Sequence, residues 1–187
     1  MVRKILIGSS AVVAGLLLVV AAQPATFHIE RSISVAAPAE KAFALVNDFR
    51  SWTSWSPYEK IDPEMQRTYE GAPAGSGAIY SWAGKEAGKG RMTLRKSEPA
   101  SKISIELAFI EPLEATNTAT FTFVPDPNGT KVTWAMDGRY DFLGKAASLV
   151  MDIDELVGAD FERGLADLKS AAESASKSDA QAANVAK

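Results

Sequence analysis

From Thr26 the chain alternates, with Phe27, Ile29, Ile33 and Val35 on one side and His28, Glu30, Ser32 and Ser34 on the other. That two-residue period belongs to a strand with one buried face, although Arg31 interrupts the apolar side. Pro38 then suits the first turn of a helix, and Ala39 to Val46 predicts a short one with Phe43 and Val46 three apart on its inner face. Six further strands are predicted at Glu64 to Glu70, Ala78 to Ala83, Gly90 to Glu98, Lys102 to Ile110, Ala115 to Val124 and Thr130 to Tyr140. Each is rich in β-branched or aromatic residues and bounded by Gly, Pro or Asn, the pattern of an antiparallel meander. Asn128-Gly129 between the last two suits a tight turn, and the Asn-Gly-Thr sequon it creates is read as turn chemistry.

A long helix is expected to close the domain. Leu149, Ile153, Leu156, Val157, Phe161, Leu165 and Leu168 recur at three- and four-residue steps, with Asp152, Glu155, Asp160, Glu162 and Asp167 between them. Gly158 and Gly164 each cost ~1 kcal/mol inside a helix and so predict a close approach or a hollow. Beyond Ala172 the chain turns rich in Ala, Ser, Lys and Gln without an apolar face, and 174–187 is predicted to be a disordered tail.

Two segments stand outside this pattern. At the amino terminus Arg3 and Lys4 precede an uncharged apolar run from Ile5 to Ala22, close to the ~20 residues that span a bilayer. Residues 1–24 are therefore expected to be a transmembrane anchor or a signal peptide. The length favours the anchor, whereas the small residues Val20-Ala21-Ala22 would suit a peptidase. Basic residues before the run predict a domain tethered on the periplasmic or other extracytoplasmic side, or secreted if the leader is cleaved. The second segment is Asn47 to Pro57, which holds Phe49, Trp52 and Trp55 on a connection too short and too polar to be core. In a helical turn these three share a face, and their bulk must meet either the interior or a ligand.

Composition narrows the chemistry. Without cysteine there is no disulfide, thiolate zinc site or cysteine nucleophile, and one histidine cannot build a His-rich metal site. The net charge of −3 argues against a nucleic-acid partner. No phosphate loop, nucleophile elbow or dinucleotide fingerprint is present, so no cofactor, metal or catalytic residue is assigned. His28, Glu106 and Asp137 are the acid–base candidates, but the first two read as solvated strand positions and Asp137 as a partner for Arg139. The acids at Asp152-Ile153-Asp154-Glu155 lack calcium-loop spacing and read as a helix start.

Several stretches carry a family likeness: Ala37-Pro38-Ala39-Glu40-Lys41-Ala42-Phe43, Trp52-Thr53-Ser54-Trp55-Ser56-Pro57, Gly75 to Trp82, Gly88 to Met92 and Phe161 to Lys169. With the element order, they resemble the START-like helix-grip superfamily of polyketide cyclases, dehydrases and lipid-transport proteins, in a membrane-anchored bacterial branch, over about Thr26 to Glu173. The resemblance implies an α+β domain, residues 25–173, whose curved sheet of about seven strands grips the terminal helix around an apolar cavity. Candidate lining residues are Trp52, Trp55, Tyr69, Tyr80, Trp82, Phe109, Phe121, Trp134 and Met136, for each of which ordinary core is the competing reading. The expected partner is a small hydrophobic ligand, lipid-like or aromatic, with a cyclase-like enzyme and a protein- or membrane-interaction module as the alternatives.

Overall fold

A computed structural model describes residues 14–185. Residues 14–22 are helical (α1) and expose Leu16 to Val19. Residues 1–13 of the predicted membrane-directed segment 1–24 lie outside the described residues, among which no helix is long and apolar enough to cross a membrane.

Seven strands follow the alternation closely: β1 (Thr26–Val35), β2 (Gln66–Gly71), β3 (Ala78–Gly84), β4 (Gly88–Glu98), β5 (Lys102–Glu111), β6 (Ala115–Asp126) and β7 (Gly129–Arg139). They form one antiparallel sheet in the order β1-β7-β6-β5-β4-β3-β2, so the first strand returns to pair with the last. Asp126 pairs with Gly129, which centres the β6–β7 turn on Pro127 and Asn128, one residue earlier than the sequence suggests. The helix α2 (Ala39–Asn47) buries Ala42 and Val46 and packs Phe43, half-buried, edge-on against Phe123 at 5.6 Å.

The terminal helix differs from expectation at both ends. Residues Phe142–Ala147 form a separate short helix, α3, and α4 runs over Ile153–Val185. Asp152 sets the start, because its Oδ1 accepts the Glu155 N–H at 3.0 Å and satisfies one of the unpaired amides of the first turn. Leu149 consequently lies off the helix and exposed. The segment expected as a disordered tail continues as helix to Val185, built from residues with good intrinsic helix propensity such as Ala, Gln and Lys. Phe161, Leu165, Leu168 and Ala172 form its buried stripe.

Both helix glycines mark close approaches. A Cβ at Gly158 would stand 2.0 Å from Arg31 Nη2, and one at Gly164 would stand 2.8 Å from Trp134 Cζ3 and 2.9 Å from Pro57 Cδ. The first explains the arginine on the apolar side of β1. Arg31 crosses α4 where the helix has no side chain, reaching Asp154 at 2.9 Å and Glu162 at 3.1 Å. The second lets α4 press onto β7.

Candidate functional site

The aromatic segment folds as a 3₁₀ helix over Phe49–Ser54, opened by Asp48, whose side chain accepts the Arg50 N–H at 2.9 Å. With three residues per turn, positions three apart eclipse, so Phe49, Trp52 and Trp55 stack along one line. All three are buried, at 2%, 3% and 0% exposure, which leaves neither tryptophan ring to a protein partner or a membrane surface. Their polar atoms have local work. Trp52 Nε1 donates to Val46 O at 3.0 Å and Trp55 Nε1 to Leu45 O at 3.1 Å, so two indoles cap the last carbonyls of α2.

Beyond this turn lies a cavity of about 370 Å³ between the sheet and the first turns of α4. The segment 52–65 supplies Trp52, Ser56, Tyr58, Glu59, Ile61 and Met65. Strand parity supplies the sheet wall: Tyr80 and Trp82 from β3, Met92 from β4, Leu107 and Phe109 from β5, and Trp134 and Met136 from β7. Their cross-strand register is continuous, with Tyr80 opposite Met92 and Met92 opposite Leu107. Leu156, Val157, Asp160 and Phe161 of α4 form the remaining side, and Phe161 stacks on Trp134 at 4.1 Å with the rings 8° from parallel.

Of the residues put forward from the sequence, Trp52, Tyr80, Trp82, Phe109, Trp134 and Met136 line this space. Trp55 and Phe121 do not. They are wholly buried behind it, 5.6 Å and 5.0 Å from the Trp134 ring. Tyr69 is displaced too: it stacks on Tyr80 at 5.2 Å with the Arg50 guanidinium 4.8 Å from its own ring, outside the lining. None of the acid–base candidates enters the cavity. His28 and Asp137 pair across β1 and β7 at 2.7 Å on the opposite sheet face from Met136, which replaces the expected Asp137–Arg139 contact, and Glu106 meets Arg95 at 2.7 Å. Among the described residues no cluster of three or more potential metal ligands occurs.

The polar content of the cavity comes from residues the sequence did not single out. Glu59 is buried, accepts the Tyr80 hydroxyl at 2.6 Å and takes Arg67 Nε at 2.7 Å. Arg67 also donates to Met65 O at 3.0 Å, tying the 59–65 loop to β2. Burial raises the Tyr58 and Tyr80 hydroxyls well above the usual tyrosine range, and the Glu59 hydrogen bond adds to the effect at Tyr80. Both tyrosines are therefore neutral hydroxyls at physiological pH. The Glu59 hydrogen bond in turn raises the Arg67 guanidinium, and the half-buried arginine provides the opposite charge beside the buried Glu59 side chain.

Two other polar atoms of the lining residues are not so provided for. Ser56 Oγ and Trp134 Nε1 are buried and have no hydrogen-bond partner among the described residues. Nearly all buried polar groups in folded proteins are paired, so an unpaired hydroxyl and an unpaired indole N–H in one cavity wall are informative. A sequence signal for this segment did exist. The aromatic period of three that runs through positions 49, 52 and 55 reaches Tyr58, inside the second 3₁₀ helix, Pro57–Lys60.

A seven-stranded antiparallel sheet folded onto a long carboxy-terminal helix, with an apolar cavity between them, defines a helix-grip domain. The chain belongs to the family described as polyketide cyclase / dehydrase and lipid transport, whose match spans residues 26–173. Solved structures share the fold at low identity. Protein CV1439 from Chromobacterium violaceum is 16% identical, with a TM-score of 0.55 over 80% of this chain and 99% of that one. The Aha1 dimer from Colwellia psychrerythraea is 15% identical, with a TM-score of 0.56 over 79% and 96%. The di-domain ARO/CYC BexL from the BE-7585A biosynthetic pathway is 17% identical, with a TM-score of 0.61 over 91% of this chain and 59% of its own. No protein of curated function matches the sequence significantly.

Proposed function

We propose that this domain binds a small hydrophobic ligand carrying one hydrogen-bond acceptor, and that its apolar amino-terminal segment holds it at the outer face of a membrane. The observation that carries the ligand reading is the pair Ser56 Oγ and Trp134 Nε1, buried in residues of the cavity lining and without partners among the described residues. An indole N–H only donates, so the group it serves must accept. The volume of about 370 Å³ falls within the ~300–1,000 Å³ typical of small-molecule sites. Binding is favoured over cyclase chemistry because the buried carboxylate of the lining, Glu59, has both oxygens engaged, by Tyr80 and Arg67, while the other two lining acids are an exposed Glu86 and an Asp160 paired with Arg163. The tether reading rests on the uncharged run from Ile5 to Ala22 behind Arg3 and Lys4.

The test uses two near-isosteric probes, 1-acetylnaphthalene and 1-ethylnaphthalene, titrated against the full chain in detergent. The acetyl compound is expected to bind about two- to tenfold more tightly, the worth of one net hydrogen bond of ~0.5–1.5 kcal/mol. Trp134→Phe removes most of that preference while the ethyl compound still binds. If neither probe binds, the ligand reading fails. Equal affinities for the unaltered protein remove the acceptor requirement alone.

A further inference from the structure

The register of the sheet divides the domain into two ends. β1 and β7 pair from Thr26 opposite Arg139 to Val35 opposite Thr130. At ~3.3 Å per residue these ends lie ~30 Å apart. The first end also carries the β5–β6 connection, because Phe109 pairs with Ala115, and the β3–β4 turn, because Lys89 pairs with Glu111. Ile61 belongs there too, since its neighbour Asp62 accepts the Glu86 N–H of that turn at 3.0 Å. α1 and α3 meet at this end: Lys145 Nζ donates to Ala21 O at 3.3 Å and Tyr140 N to Ala25 O at 3.0 Å.

Exposed apolar side chains are concentrated on this end. Among the described residues, all the exposed large hydrophobics except Val124 lie on segments that enter, leave or turn here: 16–19, Ile61, 109–113 and 142–156. Val124 sits opposite Lys131, at the other end. Ile61, Phe109 and Leu156 line the cavity and are also 52%, 37% and 57% exposed, so the cavity opens on the same end. Exposed apolar side chains gathered at one end of a domain mark an interaction site.

We infer that this end lies in the surface of the bilayer, with the apolar 142–151 segment and the Leu113 turn entering the hydrocarbon boundary and the cavity mouth facing the lipid. The occupant is fixed by continuity, since the patch joins the exposed leucines of α1, the end of an uncharged run long enough to approach a membrane span. Charges at this end are mixed, with Glu86, Lys89, Glu111, Glu114 and Lys145 all present and Lys89 paired to Glu111 at 2.8 Å. Attachment is therefore by apolar contact and tether rather than by attraction to anionic headgroups. The inference rests on the proposed tether and adds a route: an apolar ligand passes between bilayer and cavity without crossing water.

The absence of cysteine makes the test clean. Val150→Cys, Leu113→Cys and, at the far end, Lys131→Cys are each labelled with bimane in the full chain. The proteins are then reconstituted in vesicles of phosphatidylethanolamine and phosphatidylglycerol containing acyl-chain nitroxide lipids. The expected result is severalfold stronger quenching at 150 and 113 than at 131. Equally weak quenching at all three positions in vesicle-bound protein overturns the inference and leaves the tether standing. Protein that does not float with the vesicles defeats the tether itself. Crosslinking between Val150→Cys copies without nitroxide quenching assigns the surface to self-association and likewise overturns the inference.

Discussion

Trp55 and Trp134 have ring centres 5.6 Å apart and are both almost wholly buried, yet they belong to different kinds of region. Trp55 is in the aromatic turn, where its N–H caps α2 through Leu45 O and its ring is closed in on all sides. Trp134 is on the wall, where one face stacks on Phe161 and the N–H has no partner among the described residues. Burial and aromatic content do not distinguish core from site here. Polar satisfaction separates these two tryptophans, because an indole of the core finds its partner within the fold, while a binding group can leave that partner to the ligand.

The sharpest way to break this comparison is to truncate each side. Trp55→Ala is expected to lose about 3–5 kcal/mol of stability in chemical denaturation, as large-to-small core changes do. Trp134→Phe leaves no protein acceptor unpaired and should lose well under half of that, its main effect being on probe affinity. Equal losses would erase the distinction between turn and wall. Glu59→Gln sits between the two regions. It strips the charge facing the half-buried Arg67 and is expected to cost about 1–3 kcal/mol, the range for weakening a charge-assisted hydrogen bond, because Arg67 keeps carbonyl partners. Replacing both residues, as Glu59→Gln with Arg67→Met, should recover part of that loss, and a double variant weaker than the single one would refute the pairing.

The smallest effect belongs to the opposite face of the sheet. The Asp137 hydrogen bond raises the His28 pKa above 6.5. A folded value above the unfolded one gives stability that is fully present below the unfolded pKa and is lost as pH rises through the folded one. Both side chains are more than half exposed, so the contribution stays within the ~0–1 kcal/mol of a surface pair. Melting temperature should fall slightly as pH rises through this range, and Asp137→Asn should flatten that slope. An unchanged slope would remove His28 from the account.

Much of the fold was readable because its rules are local. Alternation from Phe27 to Val35 and the Gly, Pro and Asn boundaries located the strands to within a few residues, and the family match over 26–173 agrees with the resemblance drawn from those stretches. The start of α4 was misplaced because Leu149 continues the three–four spacing, while the Asp152 cap that decides the boundary is a single side chain. At the site, strand parity put Tyr80 with Trp82 and Trp134 with Met136 on shared faces without saying which face is concave, and both pairs lie on the cavity face. It did not separate Phe121 from them, because lining and backing residues of one face have the same chemistry. Glu59 and Ser56 escaped notice since their importance depends on which atoms elsewhere meet or fail to meet them, a long-range property.

The packed tryptophans have an optical consequence. Trp52, Trp55 and Trp134 form a chain with ring centres 4.7 Å and 5.6 Å apart, and Trp82 joins the cavity lining from β3. Three of the four indoles line the cavity, and Trp55 is screened behind it. The unlabelled protein therefore carries its own gauge of occupancy in its ultraviolet emission and near-ultraviolet dichroism.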